Sequence, residues 1–454
     1  MTLPIRTFSD VARFLNGGGD AEALANQTLD AIEARDPTLH AFVELDRPGA
    51  IAAARAIDAR RRKGEALGPL AGASIAVKDN IDVAGIPTRA GSLTRADAPP
   101  ALRDAAVVAR LRAAGAIIVG KTHTTEYTFG GWGTNETIGT PLNPRDLAHP
   151  RVPGGSSSGS GVAVAAGLCV AALGSDTGGS VRLPASFCGI VGLKTTPDLI
   201  ELDGVIPLVP ALDTVGPLTN CVADAAALLR VLAPEAPRDW RAILDKLSDG
   251  VALPVNGLRI GIVSNLNVDL HPETARALRE TRELLGRLGV NQTEVSLPKT
   301  PRDLAAPCGE LLALEAYRLY GDLAEEEPCR LGAPVRGRIL AGKTLPRSRL
   351  QALDEDRKQR RREIVEIFER FDLLLTPTTP YPAPLLSEYD ENAAPGLLTR
   401  FVNYLDLAAL SLPVSATPNG LPLCMQFIVR GLNEPTALTI GAALERERGP
   451  IAGL

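Results

Sequence analysis

Aromatic side chains are scarce in this 454-residue sequence, at 4% of positions. There are four histidines, His40, His123, His149 and His271. The six cysteines, Cys169, Cys188, Cys221, Cys308, Cys329 and Cys424, are scattered and form no C-x-x-C pair. In a chain this long that pattern argues against a disulfide framework and a zinc site, and the cysteines are read as buried free thiols. Nothing else in the sequence asks for a metal or another cofactor. Positive charge is not in excess: the formal net charge is −5, so there is no electrostatic case for nucleic acid or an anionic membrane surface as partner. No apolar run approaches the roughly 18 residues of a membrane span. The opening MTLPIRTFSDVARFL shows neither an apolar h-region nor a small-residue cleavage site, and the cytoplasm is the expected compartment.

What is abundant is small and apolar: 45% hydrophobic residues, 43 glycines and 36 prolines. Hydrophobic and charged contents are those of an ordinary globular protein. The most informative stretch is 153–194, PGGSSSGSGVAVAAGLCVAALGSDTGGSVRLPASFCGIVGLK. Two serine- and glycine-rich loops, 154–161 and 176–181, flank an apolar segment. Glycine lets backbone N–H groups come close to a ligand, so hydroxyls and backbone donors converge here.

Length alone suggests about three domains, yet only 234–256 is linker-like. A single domain over 1–454 is expected, with a helical region at 1–65, a catalytic core at 66–233 and further elements at 256–454. Residues 8–62 read as helical, with Leu24, Thr28 and Ile32 on one face and a break at Pro48-Gly49. Strands are expected at 74–77, 117–119, 170–173, 190–193, 259–263, 373–376 and 423–429. Helices are expected at 105–114, 162–166, 273–288 and 354–370, with a proline-rich loop at 377–384. The alternation argues for an α/β sheet with crossovers.

Gly155-Ser156-Ser157-Ser158-Gly159 satisfies G-x-S-x-G, the nucleophile elbow, which needs a strand before it and a histidine after it. Arg151-Val152-Pro153 is poor strand material, and only His271 follows Ser157, where DLHPETARAL reads as a helix start. A Ser-His-Asp arrangement therefore lacks its base. A lysine can replace histidine if its pKa falls from about 10.4, and burial can lower it by roughly 3–5 units. Lys78, ending the apolar run Ala73-Ser74-Ile75-Ala76-Val77-Lys78, sits where α/β sheets present functional groups. From this strand alone, a structural pairing with Asp79 stands beside that reading.

Taken in order, AVKDN, GGSSSGS and GSDTGGSVRLPASFCGIVGLK resemble the amidase signature family. The resemblance continues through GVIPLVPALDTVGPLT at 204–219, LLTPTTP at 374–380 and SLPVSATPNGLPLCMQFIV at 411–429, covering about 65 to 440. It implies the fold of that family, a large mixed β-sheet flanked by helices on both faces. It also implies a Ser–Ser–Lys triad: Ser180 as nucleophile, Ser156 as bridge after a cis peptide bond, and Lys78 as base. The N–H groups of Thr177, Gly178, Gly179 and Ser180 would bind the oxyanion. Asp176 and Arg182 bracket the loop and would pair to hold it, and Ser157 would support the triad. Many members carry Gly where this chain has Ser158. Cys188, eight residues after Ser180, has no histidine near it in sequence and is read as a packing thiol.

By the same resemblance, EYTFGGWGTN at 126–135 borders the acyl pocket, with Phe129 and Trp132 beside Gly130. These point to a neutral, partly apolar small amide or anilide as the partner molecule. Two alternatives share the chemistry. One is a hydrolase of carbamate or urea-type bonds, as in allophanate and carboxybiuret hydrolases. The other is the A subunit of a tRNA-dependent amidotransferase, which works on glutamine in a heteromeric complex. Against the latter, Thr195-Thr196-Pro197-Asp198-Leu199 follows GLK where its relatives continue with Tyr-Gly. A phosphate-binding module would leave Lys78 and the Ser156–Ser180 spacing unexplained. A homodimer is compatible with the helical segments.

Overall fold

The computed structural model describes residues 5–346 and 348–453; the outermost residues of the domain expected over 1–454 lie outside that range. Among the described residues, eleven strands follow one another: β1 (Phe42–Leu45), β2 (Ser74–Lys78), β3 (Ile117–Thr122), β4 (Ala171–Asp176), β5 (Val191–Lys194), β6 (Thr214–Thr219), β7 (Arg259–Val263), β8 (Asn291–Val295), β9 (Leu373–Pro377), β10 (Ala408–Ala416) and β11 (Pro422–Val429). They form one mixed sheet in the order β1-β3-β2-β4-β6-β5-β10-β11-β9-β7-β8. The pairs β2/β3, β2/β4, β7/β8 and β7/β9 are parallel, and the rest are antiparallel.

Side chains alternate across a strand with period 2, and the core obeys this. Ile75, Val77 and Leu173 join one apolar cluster with the helices Val222–Leu232 and Glu434–Arg448. Ala76 and Ala172 face the opposite side, against the helices Ala21–Leu39 and Ser158–Ala165. The sheet is thus covered on both faces, which is why its strands read as near-continuous apolar runs.

Two expectations are corrected. Residues 234–256 are no linker: the helix Arg238–Ser248 buries Trp240, Leu244 and Leu247 in the main core. Its i, i+4, i+7 stripe was hidden by flanking prolines and charges. Pro48-Gly49 does not break the N-terminal region but opens the helix Arg47–Arg62, where Asp46 caps the Gly49 N–H; proline suits a first helical turn because its missing N–H has no partner there. The charged segment is a helix, Ser348–Arg370, burying Leu353 and Ile364.

Where helix Val222–Leu232 meets the N-terminal segment, Asp224 accepts the Phe8 N–H at 3.2 Å and Glu445 accepts the Val222 N–H at 2.9 Å. Burial pushes both carboxyls up to about 7. The folded chain then keeps two protons that the unfolded chain releases near pH 4, so stability falls as pH rises from about 4 to about 7, by on the order of 1 kcal/mol per pH unit for each group. Asp224→Asn is expected to flatten that fall, as measured by thermal midpoints between pH 4.5 and 7.5. An unchanged slope would contradict it.

Candidate active site

Three chain segments meet at the C-terminal ends of β2 and β4. Strand β2 ends in Lys78. Residues 153–157 lead into the helix Ser158–Ala165, and β4 runs through residues 177–181 into the helix Arg182–Cys188. Lys78 and Ser156 are fully buried, whereas Ser180 keeps 9% of its surface exposed and lines a cavity of about 270 Å³. Of the three, only Ser180 meets the cavity.

The Lys78 Nζ lies 2.7 Å from Ser156 Oγ and 2.8 Å from Ser175 Oγ. Burial lowers its pKa to about 7, with Asp176 and Asp213 pulling the other way. A neutral amine here can accept the Ser156 proton while donating to Ser175. The Gly155–Ser156 peptide is cis. The Ser157 N–H donates to the Ser180 carbonyl at 3.2 Å, tying the two serine loops together. A side chain at Gly155 would stand within 2.8 Å of the Gly130 carbonyl and the Gly133 N–H, so glycine is required there.

Asp79 does not pair with Lys78. It bonds Lys121 at 2.8 Å, with both side chains buried, because adjacent strand residues point to opposite faces. The same contact bears on a motif expected to be absent from the chain, an expectation that is corrected: GAIIVGKT at residues 115–122 does fit G-x-x-x-x-G-K-[ST]. Residues Ile117–Thr122 form strand β3 instead of a phosphate-cradling loop, and the lysine is engaged by Asp79.

Asp176 and Arg182 form a fully buried bidentate pair, with N–O distances of 3.1 Å. The guanidinium holds the carboxyl well below the usual range despite burial. Arg182 also reaches Asn403 Oδ1, Gln426 Oε1 and the Thr399 carbonyl. Asp176 Oδ1 accepts the Gly179 N–H at 2.8 Å. That contact corrects one expectation: Gly179 is engaged with Asp176, while the N–H groups of Thr177, Gly178 and Ser180 have no such partner among the described residues. At Gly179 the backbone takes φ +128°, and an added Cβ would meet Thr399 Oγ1 at 2.2 Å.

Ser157 braces β4, exchanging hydrogen bonds at 3.3 Å with the Ser175 N–H and carbonyl. Ser160 bonds Leu173 and Thr122, and the Ser158 hydroxyl has no partner among the described residues. None of the three bonds Lys78. Cys188 donates to the Pro153 carbonyl, and burial pushes its thiol up to about 12, leaving it inert at neutral pH. The six cysteines are free, four buried and two, Cys221 and Cys329, partly exposed. His271 caps the helix Pro272–Arg287 through Glu273.

Phe129, Gly130 and Trp132 line the cavity beside Ser180, but the two aromatics are largely turned into the protein, 8% and 4% exposed. Trp132 stacks with Phe187 and Tyr381, and its Nε1 donates to the Ala393 carbonyl. The sequence reading missed polar wall residues: Arg338, Glu391 and Arg400. It also missed Ser175, although its place directly before Asp176, on the strand beside β2, was a usable signal. Among the described residues no group of His, Cys, Asp or Glu is placed to hold a metal ion, and no helix is long and apolar enough to cross a membrane.

The sequence matches the Amidase family model over residues 23–438. It is 37% identical to the A subunit of the glutamyl-tRNA(Gln) amidotransferase of Synechococcus sp. (strain CC9605), over 95% of this chain and 94% of that protein. A solved structure from work on a vestigial protein complex and the evolutionary origins of an s-triazine catabolic enzyme superposes with a TM-score of 0.89. It is 31% identical and covers 97% of this chain and 98% of that one. A crystal structure of an amidase gives a TM-score of 0.85 at 32% identity, over 98% and 100% of the two chains.

Proposed function

This chain belongs to the amidase family, and we propose that it hydrolyses the C–N bond of a small polar amide through an acyl-enzyme on Ser180. The observation carrying this reading is Lys78: a fully buried amine with its pKa lowered to about 7, 2.7 Å from a serine hydroxyl. Neutral Lys78 takes the proton of Ser156, Ser156 takes that of Ser180, and the Ser180 oxygen attacks the carbonyl carbon. The N–H groups of Thr177, Gly178 and Ser180 receive the oxyanion, each such donor being worth about 3–4 kcal/mol. The relay returns the proton to the leaving nitrogen as the C–N bond breaks. Water then repeats the sequence on the ester, releasing the acid.

The narrower reading is ammonia release from a carboxamide such as glutamine, as in the A subunit of tRNA-dependent amidotransferases. The curated relatives favour it over a neutral, partly apolar amide, and so does the charged cavity wall. The departure at residues 195–199 does not weigh against it, since none of them lines the cavity; Thr196 bonds Glu434 instead. Exposure to a fluorophosphonate is expected to give one adduct, on Ser180, absent from Ser180→Ala, and L-glutamine should be turned over faster than an anilide. Well-folded protein that stays unmodified would sink the reading; faster anilide turnover would sink only its narrower form.

A further inference from the structure

Among the described residues, the cavity wall carries one cation without a counter-ion. Arg338 is paired with Glu391, and its Nη1 also donates to the Phe129 carbonyl at 2.8 Å. Arg400, on the same wall, is different: among the described residues no carboxylate pairs with it, and its charged neighbour is the Arg338 guanidinium. Arg400 is only partly exposed. A guanidinium drawn out of water without an anion is costly, and here it borders a space of substrate size.

Its position is rigidly set. The stem of Arg400 lies over the oxyanion-side loop, where a Cβ on Gly178 would be 3.5 Å from its Cγ, and its Nη1 lies beside Gly309. Its chain neighbours are fastened to the buried pair: Thr399 accepts from Arg182 and donates to the Gly178 carbonyl, and Asn403 bonds both Asp176 and Arg182. The network that shapes the loop around Ser180 therefore also aims Arg400 into the cavity.

We propose that Arg400 is a specificity-determining residue that receives a carboxylate carried by the substrate, so that the enzyme acts on amides bearing an anionic group. This rests on the Ser180 acyl-enzyme reading and names its substrate class. A guanidinium suits the task because its planar fork matches a carboxylate with two parallel hydrogen bonds. Ser180 and Arg400 line the same small cavity, so one short molecule carrying a carboxamide and a carboxylate can meet both.

The test is protection of Ser180 from fluorophosphonate, followed by intact mass, with three pairs of probes. Each pair sets a monoamide anion, malonamate, succinamate or glutaramate, against the neutral diamide of the same length. In the wild type at least one anion is expected to protect at a concentration lower by about 10- to 100-fold than its diamide. Arg400→Met should bring that ratio close to one, and Arg400→Lys, which keeps a charge but not the fork, should retain part of it. Labelling that proceeds while no anion outperforms its diamide would overturn the proposal, as would a ratio preserved in Arg400→Met. A wild type that does not label at all would instead remove the Ser180 reading itself, so the two failures are distinct.

Discussion

Ser180→Ala is expected to lower C–N hydrolysis by roughly 10⁴–10⁶-fold, the scale seen when a serine nucleophile is removed from a relay that acts as a unit. Among Lys78, Ser156 and Ser180, only Ser180 borders the cavity, so neither other group can substitute for it in attacking a bound carbonyl. The fold should not change. The tie from the Ser157 N–H goes to the backbone carbonyl of residue 180, not its hydroxyl, and survives the substitution. Stability within about 0.5 kcal/mol of wild type is expected. The check is turnover beside a thermal midpoint: a large loss of activity with an unmoved midpoint. Retained turnover in a folded variant would move the nucleophile elsewhere.

Lys78→Met should cost about 10²–10⁴-fold, the range of general acid–base catalysis, because methionine fills the buried volume but cannot take a proton from Ser156. Its pH behaviour is the sharper signature. A lysine acts as base only when neutral, so kcat/KM should rise tenfold per pH unit below about 7 and level off above it, following the lowered Lys78 pKa. Residual activity of the variant should lose that rise. The lysine stays near neutrality because burial outweighs Asp176 and Asp213, and both carboxylates are already held by other partners, Arg182 in one case and Thr177 with the Leu208 and Val209 N–H groups in the other. An optimum well below pH 6 in intact protein would contradict this assignment.

Much of the architecture was legible along the chain. The expected strand at 259–263 is observed with the same bounds, and those at 74–77 and 373–376 each extend by one residue. Buried strands carry continuous apolar runs that local pattern reading detects. Strands β1, β6, β8 and β10 were passed over. In β8 four of five residues are not buried, and β10 carries a proline, so neither shows the simple apolar signal. The helix Arg238–Ser248 was hidden because its stripe has meaning only against the core it meets.

The sequence by itself determined an α/β sheet with crossovers, the two serine and glycine loops, and the strand that ends in Lys78. These depend on side-chain periodicity and on glycine's backbone freedom, both properties of neighbouring residues. Tertiary structure alone decided that Asp79 answers Lys121 and not Lys78, that Asp176 occupies the Gly179 N–H, that Trp132 is packed among aromatics, and that Arg400 lines the cavity with no carboxylate paired to it among the described residues. The contacts that fasten that wall, such as Arg182 to Asn403 across 221 positions, join segments whose spacing carries no local signal. Which charge meets which is settled only when the sheet brings its strand ends together.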